Sequence, residues 1–206
     1  TAPSLLATEM DGEIMLDWGG NATAVSLTEE SVSAGFEFEG YNVYQLPSAG
    51  SPLSEGRKIG TFDKVNTVQN ILDPDVDALT GLVVDVVKQT GSNAGVQRWY
   101  STDYDEIRGR PMSNGVNYYF AVTAYSYLPA NEGSPFKTLE SGEARITVKP
   151  HDANPGVTAY SDVEVTHDGT ANASIDVKVL NTDNLKDESY EVTFDQQHYY
   201  RDPEWF

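Results

Sequence analysis

Tyr118–Tyr127, YYFAVTAYSY, is the stretch on which the fold turns. Tyr118, Phe120, Val122 and Ala124 fall on one side of a two-residue period, and no glycine, proline or acid interrupts them. That alternation of large apolar and β-favouring residues predicts a long strand with one face in a core. Downstream, ARITVKP (144–150) repeats the pattern and is ended by Pro150. Upstream, GEIMLDWGG (12–20) sets Ile14, Leu16 and Trp18 against Glu13, Met15 and Asp17, the signature of a half-buried strand. In FEFEGYNVYQL (36–46), Phe36 and Phe38 share one parity and Tyr41 and Val43 the other, so a bulge is expected at Gly40. PSLLATE (3–9) reads as an edge strand after Pro3, carrying Leu5 or Leu6. The expected class is all-β.

Residues 63–111 are less regular. NTVQNILDPDVDAL (66–79) ends in turn chemistry, with Pro74 biasing its neighbour away from helix. In DALTGLVVDVVKQTG (77–91) the apolar spacing fits a helix, yet the four valines and Gly81 favour a strand. We read it as a strand, GSNAG (91–95) as a turn, and VQRWYSTDY (96–104) as its partner in a long hairpin. After Pro150 a linker-like HDANPG precedes short strands expected near 161–167, 172–180 and 189–195. Trp205 and Phe206 at the end of the sequence read as a cut in or just after a folded segment. The expected organisation is thus a first domain over 1–150, with an insertion at about 63–111. Residues 151–206 then make a linker plus the start of a second, truncated β-rich domain.

Three of these pieces, in order, resemble a fibronectin type III module. Ile14-x-Leu16-x-Trp18 is similar to its second strand, whose Trp fills the space between two sheets. Gly40-Tyr41-x-Val43-Tyr44 is similar to its third, and Met112-x5-Tyr118-x-Phe120-x-Val122 to its tyrosine-corner strand. The resemblance implies a β-sandwich whose core holds Trp18, Tyr41, Val43, Tyr118, Phe120 and Val122, with Tyr118 bonding backbone across a corner. The stretch from 63 to 111 departs from it, being longer than an ordinary module allows. In style the acidic, Cys-free chain also resembles large secreted or surface proteins of Bacteroidota-like bacteria. That implies an extracellular or cell-surface location and a structural or adhesive role beside neighbouring domains of the same chain.

Composition narrows the function from another side. The 206 residues carry 32 acids against 13 bases, a net charge of −19. Phosphate binding runs on Lys and Arg, so nucleic acid is not an expected partner, and neither is an anionic membrane surface. No apolar run is long enough to insert in a bilayer as a helix. With no cysteine, disulfides and thiolate chemistry are excluded.

Chemistry-bearing residues are few in kind. Asp73-Pro-Asp75-Val-Asp77 alternates carboxylates that could converge on calcium, a hard cation that wants several oxygens. It lacks the glycine and glutamate of the helix-loop-helix calcium loop. A second acidic cluster is Asp183, Asn184 and Asp187. Asp103, Asp105 and Glu106 are concentrated beside aromatics, but a solvated loop is the expected reading. His151, His167 and His198 are far apart, and no G-x-S-x-G, H-E-x-x-H or P-loop occurs. Calcium is therefore the single cofactor considered, and no enzymatic activity is expected. Trp99, Tyr100 and Tyr104 form a ring-rich stretch that could stack on a sugar or seat a partner side chain. Asn21-Ala22-Thr23 and Asn172-Ala173-Ser174 are glycosylation triplets in expected loops.

The expected function is a non-catalytic structural or adhesive module that meets a protein or glycan outside the cell. One alternative is a carbohydrate-binding accessory module of a polysaccharide-degrading enzyme, using Trp99, Tyr100 and Tyr104. The other is a subunit of a self-associating surface fibre, built by strand edges pairing between copies.

Overall fold

The computed structural model describes residues 1–128, 134 and 136–152, with single positions at 165, 166, 168, 177, 189 and 191. The strands expected after Pro150, the Asp183–Asp187 cluster, His167, His198 and Asn172 lie outside the described residues. The described residues are all-β apart from one α-helix and a short 3-10 turn.

Two sheets face each other. The smaller joins β1 (Leu6–Met10), β2 (Glu13–Asp17) and β7 (Trp99–Thr102), antiparallel and with β2 in the centre. Helix α1 (Ala22–Glu29) follows β2, capped by the Asn21 side chain, which accepts from the Ala24 N–H at 3.1 Å. The larger sheet is built on β10 (Tyr118–Tyr127). β10 pairs on one side with β3 (Glu37–Leu46), which pairs in turn with β4 (Arg57–Asp63). On its other side it pairs with β12 (Ala144–Val148) over Tyr118–Val122 and with β11 (Thr138–Glu140) over Tyr125–Tyr127.

One buried cluster joins the two sheets. Ile14, Leu16 and Trp18 meet Phe38, Tyr41, Val43, Tyr118, Phe120 and Val122. Trp18 sits 5.7 Å from Tyr41 and 6.1 Å from Phe62, ring centre to ring centre, in the tilted geometry aromatic pairs favour. The Tyr118 hydroxyl accepts from the Ser113 N–H at 2.8 Å, tying β10 to the loop that carries buried Met112. Phe38 and Tyr41, of opposite parity, both reach this core because the β3–β10 register shifts beside Gly40. Only glycine fits there: a Cβ on Gly40 would lie 2.7 Å from both the Phe62 carbonyl oxygen and the Asp63 Cβ.

The inserted hairpin differs from the expected one. β6 (Val83–Thr90) pairs with β5 (Asn70–Val76), while β7 joins β2 instead. The reason is side-chain fate. Tyr100 on β7 turns inward against Phe62, and the Trp18 N–H donates to the Arg98 carbonyl at 2.9 Å, so this segment belongs to the sandwich. The stretch around Pro74 is a strand, with Pro74 at a hairpin edge where a missing N–H is tolerated, and the turn expected at the end of 66–79 falls after Val76, at Ala78–Thr80. β8 (Tyr104–Asp105) and β9 (Arg110–Pro111) make a small ribbon before β10.

Candidate functional site

The β5–β6 hairpin is an arm with a fixed root and an open end. A bulge at Lys88 turns Ile71 and Gln89 toward the outer face of the larger sheet, where both are buried. There Asn42 and Gln89 exchange two amide hydrogen bonds, at 3.0 and 2.9 Å, and the Thr61 hydroxyl donates to the Asn42 oxygen at 3.0 Å. Asp63, fully buried, accepts from the Ser92 N–H and hydroxyl. Buried amides and carboxylates paired this way specify one geometry, because sliding the root would orphan them all.

Beyond the root the side chains change character. On one face Leu72 opposes Val87, Pro74 opposes Asp85, and Val76 opposes Val83. Leu72, Val76, Val83 and Val87 are all exposed, Val83 at 70%. The tip is ordered: the Asp77 carboxylate accepts from the N–H groups of Leu79 and Thr80 at 2.8 and 2.9 Å. The Asp77 N–H donates to the Leu82 carbonyl at 2.9 Å, and Gly81, at φ +68°, completes the turn. Leu79 is thereby presented at 96% exposure.

The three aspartates proposed for calcium each have separate work. Asp73 is buried and accepts from the backbone N–H groups of Lys137 and Thr138, joining β5 to β11. Asp75 pairs with Lys88 at 2.6 Å, and Asp77 builds the tip. Hydrogen bonds from Lys88 and from the Thr80 backbone hold the Asp75 and Asp77 carboxyls, respectively, below the ordinary range. Among the described residues, no three His, Cys, Asp or Glu side chains converge as a metal site.

The ring trio is also divided. Trp99, 48% exposed, faces outward from β7, in register with Asp17 and exposed Leu6. Tyr100 packs inside, 6.1 Å from Phe62, and Tyr104 is exposed on β8.

Asp105, expected in a solvated loop, is instead fully buried. It accepts from Gln45 at 2.9 Å, from the N–H groups of Ile107 and Arg108, and from the Arg108 guanidinium at 2.9 Å. Burial pushes its pKa up, but these donors and the Arg108 charge outweigh that and leave it lowered.

A cleft of about 260 Å³ lies between α1 and the Gly19 turn, with the Arg98–Glu29 pair in its wall. Both oxygens of Glu29 take an Arg98 N–H at 2.7 Å, and Oε1 also accepts from Tyr41. Asn21 therefore begins a helix and does not sit in a loop. His151 lies 3.8 Å from the Glu9 carboxylate. No helix among the described residues is long and apolar enough to cross a membrane.

No protein-family model, no curated protein and no solved structure matches the chain.

Proposed function

We propose that this chain is a non-catalytic interaction module of fibronectin type III-like build, acting outside the cell, whose β5–β6 arm is its contact element. The observation that carries the reading is the contrast within the arm: buried polar pairs at the root, exposed leucine and valine beyond it. A monomer gains nothing from holding Leu79, Val83 and Val87 rigidly in water; a contact surface does, because ordering is completed before binding. The fibronectin-like reading is supported by Trp18 in the core directly after β2, by the β3–β10 pairing, and by the Tyr118 bond across its corner. The non-catalytic reading is supported by the engagement of Asp73, Asp75, Asp77 and Asp105 in structural hydrogen bonds.

Replacing Leu72, Val76, Leu79, Val83 and Val87 with serine or threonine tests this. Each change is expected to shift unfolding free energy by no more than about 0.5 kcal/mol, since exposed side chains leave little burial to lose. Binding of an apolar fluorescent dye should fall severalfold. Cooperative unfolding weakened by about 2 kcal/mol or more per site would show that these residues serve the fold, and would end the reading.

A further inference from the structure

Resting on the arm as contact element, we infer that the open edge of β6 is a strand-addition site for an extended, cationic segment of another protein. Among the described residues β6 pairs with β5 alone. Its other edge therefore offers a row of backbone N–H and C=O groups to an incoming strand. VVDVVKQT (83–90) is eight residues of β-favouring sequence with neither glycine nor proline. Among the described residues the other edges are shorter or interrupted, β11 and β12 having three and five residues. β1 has five residues and β7 four, while β4 carries Gly60 with Arg57 and Lys58 at its end. The far edge of β5 contains Pro74, which cannot donate, and lies against β11 through Asp73.

Charge selects the occupant. Asp75, Asp77 and Asp85 stand on the arm, and its single cation, Lys88, is already paired with Asp75 at 2.6 Å. A second copy would bring another chain of net charge −19 to the same edge. A strand with a Lys or Arg opposite Asp85 and apolar residues two positions to either side of it would instead face Asp85 and cover Val83 and Val87, which share that face. Main-chain bonds supply the pairing, and the acids supply the preference for a basic partner.

The test uses the whole chain and three synthetic nine-residue peptides: one of valines with lysine at every fourth position, so that a lysine flanked on its own face by valines can stand opposite Asp85, the same peptide N-methylated at alternate backbone nitrogens, and the first peptide with glutamate in place of lysine. Hydrogen exchange read residue by residue should show amides of Val83–Thr90 protected by the valine–lysine peptide, with the effect fading as salt rises. N-methylation, which removes the pairing donors but keeps charge and side chains, should weaken binding about tenfold or more, as should the glutamate peptide. Equal binding of the N-methylated peptide, protection at another edge, absence of binding, or self-association of the chain through β6 would each overturn the inference. These outcomes are separate from the serine and threonine series: an arm that tolerates those changes yet fails to protect β6 remains a contact element, but not by strand addition.

Discussion

Replacing Trp18 with alanine is expected to cost about 3–5 kcal/mol of folding stability, a large share of what a domain of this size holds. The side chain is 1% exposed and stands between the two sheets, touching Tyr41 and Phe62. Truncation would open a cavity bounded by β-strands of both sheets, and strands fixed by ladder hydrogen bonds cannot collapse into it. Among the described residues the indole N–H finds no hydrogen-bond partner, so Trp18 contributes through volume and ring contacts. Trp18→Phe should therefore lose clearly less than Trp18→Ala. Urea unfolding of the three proteins measures the series; equal losses for phenylalanine and alanine would show that filling the inter-sheet space is not what Trp18 does.

Asp105→Ala comes next, at about 3 kcal/mol at neutral pH. The change leaves the Gln45 amide and the Ile107 and Arg108 N–H groups without the oxygen they share, and buried donors left unpaired carry the cost. The pH dependence follows from the lowered pKa. Unfolded, the carboxyl titrates near 3.8; folded, it titrates lower. Its contribution is therefore fully present above about pH 4 and is lost as pH falls through the folded value. Glu29, also lowered, acts in the same direction. Glu39 is raised by burial, so charging it costs stability as pH rises through its folded value, and acidification returns that amount. The gap between the native chain and Asp105→Ala should thus narrow below about pH 4, as unfolding curves from pH 7 downward would show. A gap that stays constant would mean the charge of Asp105 plays no part.

How much of this was legible in the sequence depended on whether burial alternates. β10 was legible over its full length because one face enters the core and two-residue periodicity survives. β2, with Ile14 and Leu16 facing inward and Trp18 directly after it, was legible for the same reason. The arm was not. Both faces of β6 are rich in valine and mostly exposed, so periodicity carries no information about its partner, and the sequence alone does not separate β5 from β7 as that partner. Helix α1 escaped because Thr28 is its only buried residue, and its one usable signal was the Asn21 cap. The burial of Asp105 was hidden because its partner Gln45 lies 60 residues away, and an amide–carboxylate pair at that separation leaves no local pattern. The exposure of the arm's apolar side chains was hidden for a related reason: exposed valines look like core valines until coordinates show what covers them.

Residue-resolved hydrogen exchange of the intact chain, with nothing added, tests the central claim most directly. A locked sandwich carrying an open arm predicts the slowest amides in β3 and β10. Along Val83–Thr90 it predicts an alternation, with amides bonded to β5 slower than those on the free edge. Uniform protection of every β6 amide, at the level of β10, would mean that the edge is covered in solution and would contradict the account.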